Sequence, residues 1–148
     1  MNTGKQGRDL IKQFEGYRST SYLCPAGVWT IGYGHTKGVT AGQYCTRADA
    51  ERFLSEDLQT AENTLNRFAE TNDLVLRQCQ FDALVSFIFN VGTGNWSKST
   101  LRKLVAADPG DPYIRYQFSR WVYGGGKELP GLVRRRKAEA DLYFKEPT

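Results

Sequence analysis

The sequence predicts an α+β fold in which one short hairpin interrupts an otherwise helical chain. Three observations carry this expectation. Leu10, Ile11 and Phe14 recur at helical spacing; Tyr22-Leu23 and Val28-Trp29-Thr30-Ile31 flank a turn bearing Pro and Gly; and from residue 46 onward one helical stripe succeeds another.

In the first helix Thr3 is the expected N-cap and Gly16 the stop, so Leu10, Ile11 and Phe14 bury one face and Glu15 falls in the last turn. The negative end of the helix dipole disfavours the charged form of a carboxylate there by roughly 0.3–1 kcal/mol, and a carboxyl group that keeps its proton can act as a general acid. Cys24-Pro25-Ala26-Gly27 supplies the restricted and permissive dihedrals of a turn between two strands. Gly32-Tyr33-Gly34-His35 then sets glycines on both sides of an aromatic, which implies a bulge or a close backbone approach rather than plain core packing. A lone Glu near a helix end is most often a solvated surface residue. The glycine-flanked segment is what marks Glu15 as a candidate.

Thr46-Arg47-Ala48-Asp49 has the form of a helix start with an acid three places past the cap, and Ala50, Phe53, Leu54, Leu58, Ala61 and Leu65 trace the apolar stripe of a long connecting helix. From about Leu76 to Val91, Phe81, Leu84, Val85, Ile88 and Phe89 are apolar on more than one face, which predicts a central buried helix ended by Gly92. Ser99-Thr100-Leu101 opens a helix to about Ala107, and Asp108-Pro109-Gly110-Asp111-Pro112 breaks it. Asp111 should cap the next helix with Pro112 at its first position and Ile114, Phe118 and Trp121 buried. Gly124-Gly125-Gly126 reads as a flexible loop or a segment that moves near a ligand. After Pro130-Gly131 a last helix carries Leu132, Arg136, Glu139 and Tyr143 on one face while Arg134 and Lys137 point elsewhere, so the basic run disperses and one or two arginines turn inward to pair with acids.

A chain of 148 residues is one domain's worth and can bury about two-thirds of its unfolded surface. Cys24, Cys45 and Cys79 cannot all pair internally, and so sparse and odd a set suggests a reducing compartment. No apolar run approaches a membrane span, and no basic segment followed by an apolar core marks an export signal. The net charge of +4 favours an anionic partner. Nucleic acid is not expected, because zinc-finger spacing, an aromatic RNA-binding signature and a helix-turn-helix are all missing. His35, the single histidine, has no companion at ligand spacing, and no nucleophile elbow supports Ser-His-Asp chemistry. Neither a metal nor an organic cofactor is expected.

Five segments taken together go further. Phe14-Glu15-Gly16, Trp29-Thr30-Ile31-Gly32-Tyr33-Gly34-His35-Thr36, Ala83-Leu84-Val85-Ser86-Phe87 with Asn90-Val91-Gly92, Ser99-Thr100-Leu101, and Gly131-Leu132-Val133-Arg134-Arg135-Arg136 with Glu139 span nearly the whole chain. In that order they resemble the phage-type lysozymes, or endolysins, of glycoside hydrolase family 24. The resemblance implies a muramidase that hydrolyses the β-1,4 bond between N-acetylmuramic acid and N-acetylglucosamine of bacterial peptidoglycan for host cell lysis. It also implies a lysozyme-like fold, with one lobe of about residues 15–60, a second of about 61–148 plus the N-terminal helix, and a cleft between.

Within that resemblance Glu15 becomes the general acid. The family's trio is completed by an Asp and a Thr that place the attacking water; the Thr maps onto Thr30, but Cys24 stands at the Asp position. A neutral thiol is a weak hydrogen-bond partner where an Asp would be ionised. Three roles remain open for Cys24: a thiolate that stabilises an oxocarbenium-like transition state, a nucleophile, or a neutral spacer beside Thr30. Inversion, which needs room for water between the catalytic groups, is the leading outcome. Asn90 maps to an amide that meets the glycan, Tyr33 is the tyrosine expected to stack on a sugar, and Trp96 is a further stacking candidate. His35 is expected to pair with an acid on the following helix as a structural link. The implied partner is peptidoglycan, and the chain is expected to be a monomer without a membrane span, held in the host bacterial cytoplasm until a holin-type protein lets it reach the wall. Three rival readings are a catalytically silent peptidoglycan-binding module, a basic nucleic-acid binder, and a lytic transglycosylase, which uses one Glu and leaves an anhydro-sugar end.

Overall fold

The computed structural model describes residues 1–146. Among them the chain runs α1 (Lys5–Glu15), β1 (Arg18–Leu23), β2 (Trp29–Gly32), α2 (Arg47–Thr71), α3 (Gln78–Val91), α4 (Thr93–Lys98), α5 (Thr100–Ala107), α6 (Ile114–Ser119), β3 (Tyr123–Gly124), β4 (Lys127–Glu128) and α7 (Pro130–Tyr143). This is the mixed class that the hairpin and the helical stripes predict. Two compact units result, one holding Ile11–Gln59 and the other Met1–Leu10 with the chain from Thr60 onward.

In the Ile11–Gln59 unit β1 and β2 pair antiparallel, with Leu23 opposite Trp29 and Tyr22 opposite Thr30. Their turn closes as the Pro and Gly imply: the Cys24 N–H donates to the Val28 carbonyl at 3.0 Å, and the Gly27 N–H to the Cys24 carbonyl at 2.8 Å. The segment leading to α2 edges this hairpin, the Cys45 N–H donating to the Ser19 carbonyl and the Ser21 N–H to that of Gln43. The start of α2 is a reciprocal capping box. The Asp49 N–H donates to Thr46 Oγ1 at 3.1 Å, and the Thr46 N–H to Asp49 Oδ2 at 3.0 Å. Accepting from Thr46 holds the Asp49 carboxyl below its ordinary value.

The other unit is built around α3, where Gln80 through Ile88 are all buried, and α7 packs along it. Phe87 meets Trp96, Phe118 and Trp121 edge to face, with ring centroids 6.3, 5.7 and 5.7 Å away. Trp96 is 1% exposed, so the expectation that it stacks on a sugar is wrong: it is core. α5 carries the Ser99 cap, whose hydroxyl accepts from the Arg102 N–H at 3.1 Å.

Further expectations are corrected, and one helix appears that the sequence did not announce. Thr3 does not cap α1, because its hydroxyl and its N–H both donate to Glu62 Oε2 at 2.7 Å. Asp82 on α3 does this instead, its two oxygens accepting from the N–H groups of Gly4 at 2.8 Å and Gly7 at 3.2 Å. Helix α4 follows Gly92 directly and has no apolar period that would have announced it. Pro112 is not the first residue of α6; Pro112 and Tyr113 form a turn in which Asp111 Oδ1 accepts from the Tyr113 N–H at 2.9 Å, and Trp121 beyond the helix is only half-buried. The three glycines are not a loose loop. Gly125 and Gly126, at φ of 59° and 79°, fill the two central positions of a hairpin in which β3 pairs with β4, a turn that demands positive φ at both.

Asp82 is 1% exposed and also accepts from Gln78 Nε2 at 2.8 Å. Asp82→Ala strands those three donors, and chemical denaturation should show a loss of about 2 kcal/mol with an unchanged denaturant slope.

Candidate active site

Helix α1 ends where the Gly16 N–H closes on the Lys12 carbonyl at 2.8 Å, leaving Glu15 half-buried in its last turn. After β2 the chain doubles back on itself, Ile31 and His35 exchanging two backbone hydrogen bonds of 2.9 Å. Gly34 sits inside this tight return at φ +81°, and a Cβ placed on it would lie 2.7 Å from Glu15 Oε1. Real Cβ atoms do not come that close to an oxygen. Only glycine has both the backbone conformation and the bareness to let this carboxyl group rest against the turn. The glycine-flanked aromatic therefore did mark a close approach, and the group approached is the acid.

The return is anchored to α2. His35 Nδ1 lies 2.8 and 3.1 Å from the two oxygens of Asp57, and the ring stacks on Phe53 at 4.3 Å between centroids. Burial pushes the Asp57 carboxyl up from its ordinary value, and the hydrogen bond from His35 pulls it back. Lys12 pairs with Glu51 and stands over the Tyr33 ring at 5.5 Å. Tyr33 itself is 7% exposed and packs on Tyr17 at 5.6 Å, so most of its ring belongs to the core of this unit.

Cys24 and Thr30, separated by the turn, come together across it. Backbone hydrogen bonds from Val28 and Ala26, joined by the Thr30 hydroxyl, hold the Cys24 thiol below its ordinary value against the opposing effect of burial. Thr30 is 4% exposed and donates its one hydroxyl proton to the Val28 carbonyl at 3.0 Å. Cys45 and Cys79 differ in kind. Cys45 is 2% exposed with its thiol pushed up by burial, while Cys79 donates to the carbonyls of Tyr143 and Lys145 at 3.9 and 3.7 Å. All three thiols are free.

Asn90 lies in the other unit, at the exposed end of α3. Arg136 of α7 donates to its Oδ1 at 2.8 Å. Behind this contact lies a cluster the basic motif only partly announces. Glu139, fully buried, accepts at Oε2 from Ser86 Oγ at 2.5 Å, Arg136 Nη2 at 3.1 Å and Arg135 Nε at 3.3 Å. Arg136 Nε approaches Glu139 Oε1 to 2.8 Å as an ion pair, though at an angle too bent to count as a hydrogen bond. Among the described residues no group of three or more His, Cys, Asp or Glu side chains is placed to hold a metal ion, and no helix is long and apolar enough to cross a membrane.

The sequence profile of the phage lysozyme family matches residues 12–139, most of the chain and the whole of the site just described. The chain belongs to this family. An endolysin of Acyrthosiphon pisum secondary endosymbiont phage 1 is 38% identical over 148 residues, covering 97% of this chain and 98% of its own. Among solved structures, the muramidase domain of SpmX from Asticcacaulis excentricus superposes with a TM-score of 0.88 at 33% identity, covering 98% of this chain and 99% of that one. The endolysin from Escherichia coli O157:H7 phage FAHEc1 does so with a TM-score of 0.86 at 32% identity, covering 97% and 94%. The fold is lysozyme-like, and this phage lysozyme is an enzyme, a glycoside hydrolase of muramidase type acting on peptidoglycan.

Two measurements probe the local chemistry. Gly34→Ala should cut wall-lytic activity at least tenfold while costing only about 1–2 kcal/mol of stability, the strain of a left-handed alanine. Alkylation of Cys24 by iodoacetamide, followed by peptide mapping, should reach half its maximal rate below the roughly 8.5 of an ordinary thiol, because the anion forms earlier; Thr30→Val should move that midpoint upward.

Proposed function

We propose that this phage lysozyme is an endolysin that hydrolyses the β-1,4 bond between N-acetylmuramic acid and N-acetylglucosamine, with Glu15 as the general acid. The observation that carries the reading is the carboxyl group of Glu15 resting against a turn that admits it only because residue 34 lacks a side chain. A proton donor must be held at a fixed place relative to the glycosidic oxygen, since misplacement by an ångström costs orders of magnitude in rate. As the bond breaks, positive charge develops at the anomeric carbon. Thr30 and Cys24, at the two ends of the β1–β2 turn, are the pair that would hold the attacking water and face that charge, with the hydroxyl oxygen accepting from the water and the thiol ionising more readily than an ordinary one. Water attacking from the face opposite the leaving group inverts the anomeric centre.

Asn90 is the substrate-binding residue in the second unit, and Tyr33, mostly buried beside Gly34, has little surface left to offer the sugar. The biological role is lysis of the host cell once a holin-type opening gives access to the wall. No metal or organic cofactor enters this chemistry.

Glu15→Gln should remove lysis of purified cell walls by at least a thousandfold, with circular dichroism and melting temperature unchanged. Mass spectrometry of the wild-type muropeptides should find reducing ends carrying one added water. Anhydro-muramic ends would replace hydrolysis with transglycosylation, and intact walls that still retain the protein would reduce the chain to a binding module.

A further inference from the structure

Arg136 is buried to 1% exposure and ion-paired with a fully buried Glu139, yet one of its nitrogens reaches an exposed amide. Nη2 has two hydrogens. One goes to Glu139 Oε2 at 3.1 Å and the other to Asn90 Oδ1 at 2.8 Å. A guanidinium has donors and no acceptor, so it can receive only the oxygen side of an amide. This settles which way Asn90 faces: its oxygen is turned inward and consumed, and the Nδ2 hydrogens are turned outward, with no partner among the described residues.

The cavity onto which Asn90 opens has a volume of about 440 Å³, and its lining includes Asn95, Arg120, Trp121, Tyr123 and Arg136 itself. It contains no acidic side chain. Asn95 donates one of its amide hydrogens to the Val91 carbonyl at 2.8 Å, and Arg120 donates to the neutral Gln117 amide at 3.2 Å, so Arg120 brings a charge that no acid here offsets. The only charged side chains lining the cavity are thus arginines, beside the neutral amide of Asn95 and hydroxyl of Tyr123.

Placing three charged side chains in a core is expensive, and a packed apolar cluster of equal volume would hold α3 to α7 at least as well. What an apolar cluster cannot do is choose between the two faces of an amide. We infer that Arg136 is a positioning residue which locks Asn90 so that it presents only N–H donors, and that the cavity accordingly takes an oxygen-acceptor group of the wall polymer, a carboxylate or an amide carbonyl. This rests on the muramidase reading with Asn90 as a substrate contact.

The test uses the full chain and soluble disaccharide-peptide oligomers from digested walls. Asn90→Asp keeps both oxygens available to Arg136 but has no hydrogen to offer, and should raise KM about tenfold with the loss falling in KM rather than kcat. Arg136→Lys keeps the charge beside Glu139, but a single ammonium cannot also hold the amide, and KM should rise about threefold to fivefold. The decisive readout is the pair. In the Asn90→Asp background Arg136→Lys should add no further rise, since no amide is left to orient, whereas a merely structural role for Arg136 would multiply the two effects. KM effects that multiply in the double variant, or a KM left at the wild-type value by Asn90→Asp, overturn the inference. Binding of N-acetylmuramyl-L-alanyl-D-isoglutamine to the Glu15→Gln protein, followed by calorimetry, separates the two failures: loss of binding on adding Asn90→Asp supports the donor site even if wall cleavage is absent, and undiminished binding refutes it even if cleavage is present. If Arg136→Lys does not fold, amide NMR of Asn90 in the otherwise intact chain replaces it, a single slowly exchanging Nδ2 pair being the expected result and averaged, freely flipping hydrogens the contrary one.

Discussion

The close approach of the Glu15 carboxyl group to the backbone at Gly34 is the constraint on which the site depends. A side chain in the last turn of a helix is ordinarily free to fray into water. Here it meets a return of the chain that cannot drift, because Ile31 and His35 are tied by paired backbone hydrogen bonds and His35 is in turn tied to Asp57 and stacked on Phe53 of α2. The order of dependence runs from the long helix to the imidazole, from the imidazole to the return, and from the return to the acid. The capping box that starts α2 at Thr46 and Asp49 belongs to the same sequence of supports, since it fixes where the helix bearing Phe53 and Asp57 begins.

What could be read from the residues alone follows from how local each cause is. The β1–β2 hairpin, the α2 capping box, the Ser99 cap and the buried α3 all have their determinants within a few residues, and each stands where the pattern puts it. The cap of α1 was not legible, because Asp82 lies 78 residues from the Gly4 it serves and nothing near Thr3 reveals that Glu62 has claimed that residue. The β3–β4 hairpin was misread because a run of glycines has one composition whether it turns tightly or wanders; the pairing of Tyr123 with Glu128 decides it, and that is tertiary information. Trp96 lies between polar neighbours with no period to betray its burial against Phe68 and Phe87.

The candidate site divides in the same way. Glu15 and the glycines after β2 were legible as a pair because a bare backbone beside an acid has few other uses, and the meeting of Cys24 with Thr30 follows from their places on a short turn. The burial of Tyr33 was not legible, since an aromatic between two glycines can face either way. Nor was the partner of Asn90: the basic run Arg134-Arg135-Arg136 shows that charges are present but not which one turns inward to reach an amide on another helix.

These two polar centres use charge in opposite manners. In the buried cluster of Ser86, Arg135, Arg136 and Glu139, burial pushes the Glu139 carboxyl up and the Arg136 guanidinium down, while each partner's charge resists the change. Neither partner can give up its charge without stranding the other, and the role proposed for the pair is geometric. Cys24 is the reverse case. Its sulfur is partly open to solvent, and its anion is favoured by donors from Val28, Ala26 and Thr30 without being enforced by any ion pair in the structure described. An Asp at this place would be charged throughout the physiological range, whereas the thiol gains its charge as pH rises through its lowered pKa and surrenders it as pH falls. Whatever part negative charge at position 24 plays in the proposed reaction is therefore conditional on pH. The hydrogen bonds from the backbones of Val28 and Ala26, from the Thr30 hydroxyl and from the backbone of Cys24 itself outweigh burial, and so bring that charge on at a lower pH than an ordinary thiol would.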